Sequence, residues 1–239
     1  MSCFARSTRT HGASMKKVHI ASSHELKDLV REIGFIPLFE NEIPGFSVMD
    51  ITSGRWWWTG DEDRDPWVWR MLLSRDPGIA YGKLFGGRAG FVSRKWFPVL
   101  ASYRRDGFDL DARFEDGKAS HRCRKIMRLF EKQTSIPSFM IKSLAGFSKD
   151  GEKGFEGALT LLQMQTYLTV SSFTRKQSKR GEYYGWHVAV YSTSEEKFGH
   201  ERIAGAYGLG TSGAREKLAK QLMKINPGVE HADAVKFLK

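Results

Sequence analysis

Cysteine is almost missing from this chain: of 239 residues only Cys3 and Cys123 carry a thiol. Two thiols so far apart, with no C-x-x-C pair, exclude a disulfide framework and a cysteine metal site, and they suit a reducing compartment such as the cytoplasm. Long apolar runs are missing as well. None approaches the roughly 18 residues a membrane helix needs, and the opening MSCFARSTRTHGAS lacks the apolar centre of a secretory signal. Met15 before Lys16 and Lys17 looks like a second beginning, so residues 1–14 read as a disordered leader. Acidic residues are the third shortage, 27 against 38 Lys and Arg, a net charge of +11.

Where the positive charge sits says more than its size. Cationic and acidic side chains number 17 and 16 over residues 1–116, 14 and 7 over 117–200, and 7 and 4 beyond. The excess therefore gathers in the middle of the chain, as expected of a surface that releases counterions from a polyanion. The other reading is a basic face that serves only solubility.

Ser22 with Glu25 three residues later is a capping box, and Leu26, Leu29, Val30 and Ile33 then share one side of a helix that Gly34 ends. Residues 35–52 hold two prolines and irregular alternation, and read as extended chain. RWWWTGDEDRDPWVWR, residues 55–70, follows with five of the seven tryptophans. Asp65 before Pro66 predicts a capped helix from Pro66 to Ser74. Three adjacent tryptophans cannot all face one core, so at least one of Trp56, Trp57 and Trp58 should reach a surface or cleft. They either join two elements of an aromatic core or stack against an exposed base at a lesion. Asp61, Glu62, Asp63 and Asp65 read as a helix entrance, with a general base as the minor alternative.

Two β-type runs around Gly86-Gly87 predict a tight hairpin. A helix from about Arg94 through Tyr103 should follow. Asp106, Asp109 and Asp111 miss the ligand spacing of a calcium loop, so no metal is expected. Gly208, Gly210 and Gly213 spell G-x-G-x-x-G without a preceding strand. That excludes a dinucleotide fold and leaves either an ordinary turn or a helix entrance offering N–H groups to phosphate. No cofactor is expected.

From Lys118 the pattern is helical, with Cys123, Ile126, Met127 and Phe130 inward and Arg122, Arg124, Lys125 and Arg128 around them. Ser135-Ile136-Pro137 breaks it, and a shorter helix runs to Gly146. Then comes the stretch 152–191, EKGFEGALTLLQMQTYLTVSSFTRKQSKRGEYYGWHVAVY. Phe155, Ala158, Leu159 and Leu162 make an apolar helical stripe. From Tyr167 the residues become β-branched and aromatic, turn through Arg175 to Gly181, and resume at Tyr183. Three helices followed by a hairpin with a cationic tip is the element order of a winged helix-turn-helix. The expected fold is α+β: leader 1–14, an N-terminal α/β portion over 15–116, a winged-helix core over 117–193 and C-terminal helices over 194–239. Lys149, Lys153, Arg175, Lys176, Lys179, Arg180, Arg124 and Arg128 are the candidate contacts to duplex DNA phosphates.

Gln163 and Gln165 stand where helix should give way to strand. In continuing helix they point about 200° apart, whereas in extended chain they share a side. Only the second geometry lets two neutral amides hold one water against an electrophilic carbon. The stretch LLQMQT, Leu161 to Thr166, resembles the glutamine motif of the AlkZ/YcaQ-type DNA glycosylases, winged-helix proteins that remove alkylated purines. IGFIPLF, WWTGD, IAYGK and YGW make the chain as a whole similar to the AlkZ-related group of bacterial proteins. The resemblance implies a monofunctional glycosylase in which Gln163 and Gln165 position the water that hydrolyses the N-glycosidic bond of a cationic, N-alkylated nucleotide, in a nucleoid-associated protein. Two readings stand beside it: a non-enzymatic winged-helix regulator, and an RNA-binding module that stacks bases on Trp56 to Trp58.

Overall fold

The computed structural model describes residues 18–148 and 151–239; the expected leader and Lys149 lie outside them. The architecture is α+β, built on one antiparallel sheet of six strands in the order β1-β3-β2-β5-β6-β4.

Helix α1 (Ser23–Ile33) forms as its capping box predicts. Ser22 Oγ accepts from the Glu25 N–H, and Gly34 ends the helix at φ 102°. Strand β1 (Phe35–Pro37) comes from the stretch expected only to be extended, and pairs with β3 at the sheet edge, Phe35 opposite Val92. Helix α2 (Pro66–Ser74) starts at the Asp65 cap. The Gly-Gly hairpin joins β2 (Ile79–Phe85) to β3 (Arg88–Ser93), with both glycines at positive φ as a tight primed turn requires. Helix α3 (Phe97–Arg105) begins three residues later than expected, with Pro98 in its first turn where a missing N–H costs nothing.

After the short α4 (Leu110–Glu115) come α5 (His121–Met127), β4 (Ile136–Pro137), α6 (Ser138–Leu144) and α7 (Phe155–Met164). The hairpin β5 (Leu168–Gln177) and β6 (Tyr183–Thr193) follows. The break at Ile136-Pro137 is itself a strand, with Ile136 opposite Tyr191 of β6. Irregularities between Val170 and Ser172, and between Thr174 and Lys176, bend the hairpin. The sheet crosses the boundary expected at 116/117, because Tyr81 of β2 pairs with Val170 of β5.

Helix α7 is not free to enter a groove, as a recognition helix must be. Its Thr160 and Gln163 bond to Lys83 of β2, and its exposed positions Glu156, Gly157 and Leu161 carry no cation. At the carboxyl end, α8 (Ser194–Phe198) is capped by Thr193, and α9 (His200–Ala204), α10 (Gly210–Ile225) and α11 (His231–Phe237) follow. Phe237 stacks on Phe85 at 5.6 Å and meets Phe46 at 5.7 Å, which seats the last helix on the sheet. No helix among the described residues is long and apolar enough to cross a membrane.

Candidate functional site

One face of the sheet holds a cavity of about 450 Å³ under helix α2, within the range of roughly 300–1,000 Å³ usual for small-molecule sites. Strand alternation builds it. His187, Ala189 and Tyr191 are two apart on β6 and so face the same way, as Tyr81 and Lys83 do on β2. The bulge after Val170 brings Phe173 to the same side of β5. Helix α2 adds Trp67 and Arg70, three apart and therefore on one helical face. Tyr81 and Phe173 stand 6.2 Å apart, Phe39 and Trp67 6.1 Å, so two pairs of aromatic rings line the wall.

Arg70 is the unusual member. It is only 6 % exposed, its guanidinium lies 3.6 Å from the Trp67 ring centre and 4.4 Å from that of Phe173, and its Nε is buried without an acceptor. Among the described residues no carboxylate pairs with it. Burial pulls its pKa down from the usual arginine value, with Tyr81 and Asp65 opposing. Burial likewise pushes the Tyr81 phenol up to about 12, against the nearby Arg70 charge. The other two cations are held: Arg88 pairs with Glu42 at 2.7 Å, and Lys83 Nζ donates to Thr160 Oγ1. Among the described residues no Asp or Glu lines the cavity.

Gln163 lines it too. Only 2 % exposed, its Oε1 accepts the Lys83 N–H at 3.0 Å and its Nε2 donates to Leu159 O at 3.1 Å. Gly82 makes room for this, since a Cβ there would stand 3.2 Å from Gln163 Oε1. Gln165 does not join it. Helix α7 runs on through Met164, and Gln165 keeps φ −79°, ψ 4°, so the two side chains diverge instead of sharing a side as extended chain would make them. The turn that follows is held from a distance. Thr166 is left-handed at φ 64°, and buried Arg105 donates to both its Oγ1 and its carbonyl. Gln165 Oε1 is buried without a partner, away from the cavity.

The three tryptophans divide. Trp57 is buried, donates its ring N–H to Thr52, and backs Phe39 at 5.8 Å; Trp56 lies between Arg55 and Arg64. Trp58 is 62 % exposed. It is the ring expected to reach the surface. Asp65 accepts three main-chain N–H groups, from Trp58, Gly60 and Trp67, which commits it to structure.

On the hairpin, Arg175, Lys176, Lys179 and Arg180 are exposed and, among the described residues, outside any ion pair. Lys153 is exposed as well. Arg124 instead pairs with Asp111 at 3.2 Å, and with Arg128 it lines a separate hollow of about 620 Å³ that also holds Glu131 and Glu195. The residue the sequence reading missed is Trp186, 92 % exposed, in company with Tyr183 and Tyr184 on β6. Its signal was the aromatic density of YYGW beside four cations. A larger hollow, about 1070 Å³, is lined by Arg31, Arg94, Lys95, Arg202 and Lys217. It offers charge but no paired aromatic walls. Among the described residues no group of His, Cys, Asp and Glu could hold a metal.

A family model described as AlkZ related matches residues 20–239. The chain belongs to the AlkZ-related family. No curated protein and no solved structure matches it. Membership points to a function associated with DNA repair and to interaction with DNA. In this AlkZ-related chain the match takes in the cavity, the glutamine turn and the cationic hairpin together.

Proposed function

We propose that this chain grips damaged duplex DNA along the β5–β6 hairpin and receives an extruded base in the aromatic cavity, where the N-glycosidic bond of an alkylated purine is hydrolysed. The observation that carries the reading is the cavity itself: four aromatic rings and a backbone-anchored amide in its wall, with exposed cations farther along β5 and in the turn beyond it. Extracting a base from the stack costs a few kcal/mol, which stacking between rings repays in part. The order helix, strand, helix, helix, hairpin over 121–193, with β4 paired to β6, supports a winged-helix arrangement. In it the hairpin, rather than the buried α7, meets the phosphates.

Gln163 is the residue for the water. A primary amide has two donor and two acceptor positions; its two main-chain bonds use one of each, and the side chain also hydrogen-bonds with the Tyr191 hydroxyl, so one acceptor position is left for a water. That is enough to fix a water, but not to deprotonate it strongly. Gln165 does not share the task.

Duplexes carrying a single alkylated purine, incubated and then scored for alkali-labile sites, test the proposal. The parent and Gln165→Ala should release base at similar rates, and Gln163→Ala should be slower by about 100-fold or more. Equal rates for Gln163→Ala and the parent overturn the catalytic role. A second reading, damage binding without excision, is favoured by the fact that both main-chain bonds of Gln163 are ones a purely structural glutamine makes. It predicts tight binding with no alkali-labile sites. For either reading, changing Arg175, Lys176, Lys179 and Arg180 together to Ser should flatten the salt dependence of binding, by about 0.9 in slope for each phosphate that is no longer neutralised.

A further inference from the structure

We infer that Trp186 is a stacking platform for an unpaired nucleobase, and that the DNA this chain prefers carries unpaired nucleotides beside the duplex. The inference rests on the proposed contact between the β5–β6 hairpin and DNA, and it does not need the cavity to excise a base.

The ring is placed by a distortion of its strand. Thr174 pairs with Val188 and Lys176 with Tyr184, which leaves Arg175 alone on β5 against Gly185, Trp186 and His187 on β6. The surplus residues bulge out of β6, and a bulge re-aims the side chain at its crest. Gly185 permits this with φ 73°, a conformation most side chains avoid. Arg175 pins it, its Nε donating to Gly185 O at 2.9 Å. The outcome is an indole 92 % exposed, with Tyr183 and Tyr184 exposed close by in sequence. Large rings are among the most favourable groups to bury, so three of them held out in water within four residues mark a surface that a partner covers.

The surroundings say which partner. Between Thr174 and Val188 stand four cations, Arg175, Lys176, Lys179 and Arg180, against one carboxylate, Glu182. Cations interleaved with exposed rings suit a single nucleic-acid strand, because charge follows the phosphates while rings stack on bases. In a continuous duplex each base face is already covered by its neighbour, and an indole enters only by unstacking a step, which costs free energy. Bases that are already unpaired avoid most of that cost. The edge of β6 leaves room for them: β4 pairs only with Val190 and Tyr191, so among the described residues no strand flanks the bulge on its outer side. His187, the next residue, lines the cavity, so unpaired nucleotides would be held beside the place proposed for the extruded base.

Two duplexes of one sequence test this by fluorescence anisotropy at fixed salt. One carries a short overhang of unpaired thymidines, the other an overhang of equal length made of stable abasic units, so that the phosphates match and only the bases differ. The parent should bind the base-bearing overhang at least about fivefold more tightly. Trp186→Ala should remove the preference, and Trp186→Phe, which keeps an aromatic face, should retain part of it; thermal melting shows whether each variant is folded. Changing Lys176, Lys179 and Arg180 to Ser, with Arg175 left to hold the bulge, should weaken binding of both duplexes and keep their ratio. Equal binding of the two overhangs by the parent, or an unchanged preference in folded Trp186→Ala, overturns the inference, while weakening in the three-cation variant leaves the grip of the hairpin standing. If that variant binds as the parent does, the proposed grip fails and the inference goes with it. Loss of self-association in Trp186→Ala with DNA binding unchanged assigns the ring to a protein contact and also overturns it.

Discussion

Two arginines of this chain are buried to nearly the same degree and are in opposite circumstances. Arg105, 2 % exposed, donates to Thr166 Oγ1 and O, Ser194 Oγ, Tyr207 Oη and the Glu195 carboxylate. Arg70, 6 % exposed, has rings on two sides and a buried Nε with no acceptor. The first locks a turn: it holds Thr166 left-handed just past the end of helix α7. The second is unsatisfied, and it faces the cavity. Depth of burial therefore does not separate the two; what differs is that one guanidinium is fully engaged while the other, lining a cavity, is not.

The contrast can be broken by treating both residues alike. Arg105→Met should cost the most, about 3–5 kcal/mol in denaturant unfolding, because the Glu195 carboxylate loses its partner and the Thr166 carbonyl keeps only the Ser194 hydroxyl as a donor. A loss below about 1 kcal/mol would mean the turn holds itself. Lys197 is the intermediate case, a cation with one acceptor, Ser74 O at 2.6 Å. Burial lowers its pKa to about 8, against the nearby Asp76 charge, whereas the unfolded value lies near ~10.4. Between those values the unfolded chain binds more protons, so stability should rise with pH over that window and level off above it. Lys197→Met should flatten that rise in thermal melts taken from about pH 7.5 to 10.

Gly82→Ala comes next. Its Cβ, 3.2 Å from Gln163 Oε1, should move the amide by a few tenths of an ångström and cost about 1 kcal/mol or less in stability. Its effect on base release should be the larger one, since a small misplacement of a positioning group is amplified in rate. Arg70→Met should change stability least, by under about 1 kcal/mol and in either direction, because it removes an unpaired buried charge and keeps much of the side-chain volume. A loss as large as that of Arg105→Met would erase the distinction between the two residues.

Much of the local structure was legible from sequence because it is written in adjacent residues. The Ser22–Glu25 box, the Asp65-Pro66 start, the Gly86-Gly87 turn and the change of period at Tyr167 all reappear as expected. Strand β4 was not legible, since two residues at a proline break carry no alternation. Neither was the union of two regions into one sheet, which rests on a pairing between residues 81 and 170. The glutamine geometry turned on where helix α7 stops: it runs on through Met164, and the turn that ends it at a left-handed Thr166, a conformation its own sequence argues against, is held by an arginine sixty-one positions earlier. Arg70 closes the tryptophan-rich stretch 55–70 and carried no signal of its own. Only the folded sheet shows that, among the described residues, no carboxylate pairs with it.

Fluorescence of 2-aminopurine beside a lesion, followed as the protein is added to the duplex, asks directly whether a base enters the cavity. The parent should unstack the reporter and raise its emission. Ala189→Phe, which fills the cavity, should bind the same duplex through the unaltered hairpin cations without that rise. An equal rise with the cavity filled, or no rise in the parent at saturating protein, would contradict base entry.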